Sequence, residues 1–321
     1  MNRPATTVRD PLDLAMLAEV RGGLMASRKQ LPPKFFYDER GSELFEAITA
    51  LPEYYPTRAE REILGAWMPE LIDALTPRAL VELGAGSADK TRVILDAMVA
   101  LGGPRTYVPL DVSADFLYRS ARALRHEYPT LTVMPVVADI ADTITAPAGL
   151  GAPALWAFLG STIGNFTPAA TVRLLYRVRA WLRDGDRFLI GMDLRKDVAV
   201  LEAAYNDSAG VTAAFNLNVL QVLNGRLGAD FDVEAFHHRA FYREAGHRIE
   251  MHLVSSRDQQ VTIPGIGVID FREGESIRTE ISCKYDRETA QALLADAGLR
   301  LVEWRTDRAG RFALALAMAR R

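Results

Sequence analysis

Two stretches of this sequence carry residue types suited to chemistry. The first is VELGAGSADKT at 81–91, where Gly84 and Gly86 follow a short apolar run. A glycine loop after a strand lets the backbone approach a ligand where an open α/β sheet binds one. A dinucleotide fingerprint needs a third glycine so that a helix N-terminus can meet a pyrophosphate, and Ser87, Ala88 and Asp89 follow instead. The acids Glu82 and Asp89 suit a cationic, phosphate-free ligand better. Asp111 ends a second apolar run, TYVPLD, placed to accept both hydroxyls of a ribose. Asp139 ends a third, LTVMPVVAD, and can accept from an adenine amine. Singly, each acid also suits a solvated loop or a helix cap, and a bare G-x-G suits a structural turn. The second stretch is FLGSTIGNF at 158–166, an apolar run that breaks into small polar residues. There Gly160 and Gly164 permit close approach, and Asn165 can both donate and accept.

The elements that must position these residues alternate. Strand-like runs at 79–83, 106–111, 131–139, 154–160 and 187–193 are separated by helical patterns at 89–101, 114–126 and 168–182. That rhythm predicts a parallel sheet with helices on both faces. A helix at 287–297 and strands at 299–306 and 312–318 close the chain's pattern. Between them, 194–285 holds helical stretches and then alternating strands such as RIEMHLV, and the N-terminal region adds helices at 12–26 and 42–50. Thr57 is expected to cap a helix over 58–75, with Glu60 at the capping-box position. The fold class is therefore α/β: a Rossmann-like sheet domain of 60–195 and 286–321, with a second, inserted α+β domain of 196–285 completed by 1–59. Acids at three successive strand ends, and a closing strand expected to run antiparallel, resemble the S-adenosylmethionine-dependent methyltransferases.

Longer blocks narrow this. LPPKFFYDERGSELFEAITALPEYYPTRAE (31–60), VELGAGSADKT, FLGSTIGNFTP, YNDSAGVTAAFN (205–216), RIEM (248–251) and EISCK (280–284) closely resemble blocks of the histidine-specific Nα-methyltransferases of ergothioneine biosynthesis. The likeness spans nearly the whole chain; 1–20, 100–105 and 142–153 are its variable parts. The resemblance implies that the methyl donor is held by Tyr37, Gly84, Lys90, Asp111 and Asp139, with Ile140 beside the adenine. The best-known members carry an aromatic at that last position, so the apolar contact survives while the packing differs. Tyr54, Asn165 and Tyr205 would hold the amine and carboxylate of L-histidine, and Gly160 would lie on the substrate side. Glu280 and Ser282 would hold its imidazole, with Met251 and Phe45 as pocket walls. Asn165 and Tyr37 would aim the reacting amine. Trimethylation to hercynine, the first step of ergothioneine biosynthesis, is the expected activity. Methylation of another amino acid, such as an aromatic one, is the alternative within this chemistry; a nicotinamide-dependent oxidoreductase and a non-catalytic binding module are alternatives outside it.

Composition excludes other classes. The 321 residues are 49% hydrophobic and 25% charged, as in ordinary globular proteins. A net charge of −3 without a basic, aromatic-studded cluster gives no reason to expect nucleic acid. One cysteine, Cys283, rules out an internal disulfide and suits a small core position in a reducing compartment. Asp10, Asp13 and Glu19 interrupt any signal-peptide core, and no run approaches the ~20 apolar residues of a membrane span. The five histidines lack zinc-like spacing, so no metal is expected. A cytoplasmic monomer is the expectation.

Overall fold

The structure is a computed structural model that describes residues 11–103, 105–142 and 145–320. The leader reading made on residues 1–10 lies outside them. The chain forms two compact units: the described residues up to Tyr54 with Asp197–Ile281, and Tyr55–Lys196 with the described residues from Ser282 onward.

Helices α1 (Pro11–Leu24) and α2 (Glu39–Ala50) open the first unit. Asp38 caps α2, its carboxylate accepting from Gly41 N at 2.7 Å. A 3₁₀ turn, Pro33–Phe36, precedes it. Gly41 is demanded by that turn, since a Cβ there would lie 1.7 Å from the Phe36 carbonyl oxygen.

The second unit begins with α3 (Pro56–Leu75), whose Pro56 occupies the first turn, where no N–H is needed. Thr57 is thus inside the helix and Glu60 is not part of a capping box. There follow β1 (Ala79–Leu83), α4 (Arg92–Ala100), β2 (Arg105–Asp111), α5 (Ala114–Glu127), β3 (Leu131–Val133), β4 (Val136–Val137), β5 (Ala154–Phe158), α6 (Pro168–Trp181) and β6 (Arg187–Asp193). Helix α4 starts three residues later than its pattern suggests, because left-handed turns at Gly86 and Ala88 occupy the chain first. The expected third strand is two short ones, since Pro135 has no N–H to give a ladder.

The first unit then resumes with α7 (Val198–Ala203), α8 (Val211–Leu227), β7 (Phe236–Arg243), β8 (Arg248–Ser255), β9 (Gln259–Ile263), β10 (Gly267–Phe271) and β11 (Ser276–Cys283). Strands β11, β8 and β7 form one sheet and β9–β10 a hairpin. The unit boundary falls inside β11. Finally α9 (Arg287–Asp296), β12 (Leu299–Thr306) and β13 (Phe312–Ala319) complete the second unit.

The large sheet runs β12-β13-β6-β5-β1-β2-β3, with β4 also on β2. Strands β1 to β6 pair in parallel, and β13 lies antiparallel to both β6 and β12. The strand order reverses at β1, so a crevice is expected outside the carboxyl ends of β1, β2 and β5. The central strands are buried throughout, as a sheet covered on both faces requires.

Candidate active site

In the sheet unit the candidate residues gather at those carboxyl ends. Gly84 and Ala85 donate to the Leu110 carbonyl at 2.8 and 3.0 Å, folding the glycine loop over the end of β2. Gly84 (φ 69°) and Gly86 (φ 52°) adopt the left-handed backbone that glycine takes at least cost. Asp111 turns back onto this loop, accepting from Gly86 N at 2.9 Å and from Ser113 N at 3.0 Å. Burial raises its carboxyl above the ordinary aspartate value against the pull of these N–H groups. With Val112 N also bonding it, the carboxylate keeps part of its acceptor capacity for a further donor.

The loop's other acids serve elsewhere, which corrects their assignment to a cationic ligand. Glu82 is 2% exposed and accepts from Thr91 Oγ1 at 2.8 Å and from Tyr107 OH at 2.5 Å. Burial pushes its carboxyl up to about 7. It fastens the far end of the loop to β1 and β2. Asp89 pairs with Arg61 of α3 at the surface.

Lys90 ends the loop in an ion pair with Glu60, whose carboxylate is fully buried. Both Glu60 oxygens also accept from Gly160 N, each at 2.9 Å. Room for that carboxylate comes from Gly191 of β6, where a Cβ would lie 2.1 Å from Glu60 Oε1. A Cβ on Gly160 (φ 72°) would stand 3.2 Å from Lys90 Nζ. One carboxylate therefore joins the glycine loop to the turn after β5. Its sequence signal is positional: Glu60 lies on the apolar stripe that continues through Ile63, Leu64, Trp67 and Met68.

After β5, Ser161 (φ 56°) leads into a 3₁₀ turn, Thr162–Asn165, and its hydroxyl accepts from Asp193 N at 2.8 Å. Gly164 answers to a close passage of backbone: a Cβ there would lie 2.9 Å from the Cys283 carbonyl oxygen and 3.5 Å from Ser282 Oγ. Half-buried Asn165 closes this turn. Tyr285 OH donates to Ile163 O at 3.3 Å, and the Cys283 thiol contacts Phe166 O at 3.6 Å. Ser282 Oγ accepts from Lys284 Nζ at 2.8 Å. Lys284 is fully buried and pairs with Asp193 at 2.8 Å. Asp193 also accepts from Tyr55 OH at 2.8 Å and from Lys196 Nζ at 2.5 Å. Burial alone would raise Asp193, and the two ammonium groups outweigh it, leaving its carboxyl below the ordinary value.

Asp139 and Ile140 sit on a half-buried turn beyond β4. Asp139 accepts from Ala141 N at 2.8 Å, Arg177 of α6 donates to Ile140 O at 2.8 Å, and Ala138 N reaches Asp111 O at 2.9 Å. Arg177 carries no sequence signal for this, since its partners are main-chain carbonyls.

The first unit holds the aromatic candidates as a chain of rings. Tyr37 stands 5.8 Å from Phe45, Phe45 6.3 Å from Tyr54, and Tyr54 6.5 Å from Tyr205, all edge-on. Phe215 of α8, not singled out from sequence, touches Tyr37 and Phe45 at 5.7 and 5.9 Å. Glu53 accepts from Ser208 Oγ at 2.8 Å, tying the segment of Tyr54 to that of Tyr205. A polar relay extends from there: His238 bonds Tyr205 O at 2.8 Å and Asn216 at 2.9 Å, and Asn216 accepts from Thr279 Oγ1 at 2.6 Å. Thr279 also donates to Met251 O at 3.1 Å, which sets buried Met251 beside the strand segment carrying half-buried Glu280. Glu280 and Ser282, two apart on β11, share a face of that strand.

The sheet unit thus offers acceptors for a diol and an amine and one lysine charge near a glycine-lined turn; the other unit offers tyrosine hydroxyls and ring edges. Among the described residues no group of acids, histidines and cysteine could hold a metal ion, and no helix is long and apolar enough to cross a membrane.

Residues 16–319 match the family described as histidine-specific methyltransferase, SAM-dependent. The sequence is 47% identical to a histidine N-alpha-methyltransferase of Mycobacterium tuberculosis over 95% of each chain. It is 32% identical to ergothioneine biosynthesis protein 1 of Neurospora crassa, over 86% of this chain and 32% of that one. Its fold resembles a solved S-adenosylmethionine-dependent methyltransferase from Clostridium acetobutylicum, with a TM-score of 0.51 and 10% identity, covering 87% of this chain and 99% of the other.

Proposed function

The chain belongs to the family of histidine-specific, S-adenosylmethionine-dependent methyltransferases, and we infer from that membership that it methylates the α-amino nitrogen of L-histidine three times. The product is hercynine, and the reaction would open ergothioneine biosynthesis in the cytoplasm. The observation that carries this reading is the full-length likeness to the mycobacterial enzyme.

The residues present fit the methyl donor. Gly86 has open space where a side chain would stand, and Gly160 leaves room that a Cβ would take from Lys90. The donor set of Asp111, Asp139 and Lys90 matches a nucleoside with a free amino-acid carboxylate and no phosphate. Gly84, Lys90, Asp111, Asp139, Ile140 and Tyr37 would hold it. Bound, it supplies an electrophilic methyl group on a sulfonium.

What this chain's residues must do is present a neutral amine. An α-amino group, with a pKa of about 7.7–8 even in peptides, is largely protonated at neutral pH, so its lone pair has to be favoured and aimed. Asn165 and Tyr37 would orient the nitrogen, with Tyr54 and Tyr205 on the amine and carboxylate of the substrate. Placement of this kind supplies much of the rate of an in-line displacement. As methyls accumulate the nitrogen becomes a fixed cation, which tyrosine faces tolerate. Glu280 and Ser282 would read the imidazole, beside Met251 and Phe45.

The test is mass spectrometry of each of the twenty amino acids after incubation with enzyme and methyl donor. Histidine should gain up to three methyl groups, with the others little changed. Faster methylation of another amino acid would replace the substrate, and tight nicotinamide binding without methyl transfer would replace the reaction.

A further inference from the structure

The charge proposed to meet the methyl donor's carboxylate is carried by a lysine, and a lysine brings a charge without a direction. Its ammonium rides on a flexible four-carbon stem, and holding that stem in one conformation costs rotamer entropy. Lys90 stands at the end of the glycine loop, ahead of α4, with 21% of its side chain exposed to water. Among the described residues one side chain bonds its Nζ, the carboxylate of Glu60. Glu82, the other buried carboxylate acting on Lys90, is taken up by Thr91 and Tyr107.

Glu60 is fixed where Lys90 is not. It lies within α3, and its side chain has no exposed surface. Both of its oxygens accept from Gly160 N at 2.9 Å. The missing Cβ of Gly191 in β6 leaves the space that Oε1 fills, 2.1 Å from where that Cβ would stand. The carboxylate is therefore held by a helix, a strand and the main chain after β5, and none of these belongs to the glycine loop. A charge that cannot move, beside one that can, sets the place of the second.

We propose that Glu60 is a positioning residue for the methyl donor: it holds the Lys90 ammonium in place to receive the donor's carboxylate. That Lys90 meets this carboxylate is taken from the function proposed above. Two effects of Glu60 on that contact oppose each other. Its negative charge repels the incoming carboxylate, and water at partly exposed Lys90 screens that repulsion. Against it stands the ordering of a long side chain, complete before the donor arrives. Preorganisation of this kind raises affinity by removing a cost of binding. The ordering effect is the larger, because solvent does not screen it.

The experiment is calorimetry on wild type, Glu60→Gln and Lys90→Met with two ligands, S-adenosylhomocysteine and 5′-methylthioadenosine. The second carries the same nucleoside and sulfur and no carboxylate. Glu60→Gln keeps a carbonyl for Gly160 N and removes the charge that holds the ammonium. It should lower S-adenosylhomocysteine affinity by about tenfold, the scale of a lysine's rotamer freedom, and change 5′-methylthioadenosine affinity by less than about twofold. Lys90→Met should show the same selective loss, and adding Glu60→Gln to it should change S-adenosylhomocysteine affinity by less than about twofold. Equal losses for both ligands in Glu60→Gln would make Glu60 a support of the fold alone, and a gain for S-adenosylhomocysteine would make it a competitor for Lys90; either result overturns the proposal. If Lys90→Met shows no selective loss, the placement of Lys90 at the carboxylate fails as well. If Lys90→Met shows it and Glu60→Gln does not, only the role of Glu60 fails. Should Glu60→Gln not fold, Glu60→Asp keeps the charge and draws it back by one methylene; the same selective loss, smaller, is expected, and unchanged affinity overturns the proposal.

Discussion

Replacing Asp111 with alanine removes three things at once. Its carboxylate holds Gly86 N at 2.9 Å and Ser113 N at 3.0 Å, and it is the proposed acceptor for the ribose diol. Hydrogen bonds to charged groups contribute roughly 1.5–3 kcal/mol each. The two N–H groups lie in a half-buried segment where water replaces part of what they lose, so the fold should suffer by about 1–2 kcal/mol at most. The diol loses its charged acceptor outright, and the loosened loop adds ordering cost to binding. Affinity for S-adenosylmethionine should therefore fall at least tenfold and up to about a hundredfold. Asp111→Asn serves as the near-isosteric control: it keeps one acceptor, turns an NH₂ toward the other N–H, and should fall between wild type and alanine. Because burial raises this carboxyl, a methyl donor that favours its ionised form releases a proton on binding. Affinity should then weaken as pH drops toward that raised value, and this slope should vanish in Asp111→Asn. Calorimetry from pH 5 to 8 reads both effects. Alanine and wild-type affinities within a factor of two, or a pH slope that persists in Asp111→Asn, would falsify the assignment of Asp111 to the donor.

Three further outcomes are expected. Asn165→Ala should depress both histidine binding and turnover, by roughly tenfold or more for one lost polar contact to the reacting end; normal methylation by that variant removes Asn165 from the site. Glu280→Ala should cost histidine roughly 1.5–3 kcal/mol in kcat/KM while easing the penalty against phenylalanine and tryptophan, and a preference ratio within twofold of wild type makes Glu280 a bystander. Burial brings Lys196 down to about 8 despite Asp193 beside it, against about 10.4 in an unfolded chain. Between those values the unfolded chain binds more protons, so this group makes stability rise with pH across that window and contributes no slope below it. Urea midpoints of Lys196→Met should show a flatter rise from pH 8 to 10; an unchanged rise means another group is titrating.

The strand-end acids were legible because a parallel strand announces itself as an apolar run and its last residue is then known to face the crevice. Asp111 and Gly84 could be placed on that logic alone. Glu82 was legible as an acid and misread in its role, since whether a carboxylate before a loop faces a ligand or a tyrosine depends on Tyr107, a neighbour only after β2 pairs with β1. The same limit hides the Asp193–Lys284 pair, whose members meet only once the segment after β11 has packed. Glu60 was visible on the apolar stripe of α3, but Thr57 and the acid three residues on offered a simpler cap. Strand β7 escaped because FHHRAFYR is too polar for a two-residue rhythm to stand out, and LTVMPVVAD was read as one strand although Pro135 divides it into β3 and β4. The aromatic chain of Tyr37, Phe45, Tyr54 and Tyr205 needed the family likeness, as isolated tyrosines look like any others.

Strand β13 sits between β6 and β12 in the sheet, yet in the chain it comes after every element of the first unit. During synthesis β6 therefore waits, with one row of its main-chain groups unpaired, while α7 through β11 are being made. At about 5–20 residues per second that interval is on the order of ten seconds. An apolar edge such as RFLIGMD, exposed for that long, is a template for pairing with other nascent chains. The ribosome-bound chain should thus be most prone to aggregation and most dependent on chaperones just before Phe312–Ala319 emerges, and slowing translation within 194–311 should lower the soluble yield.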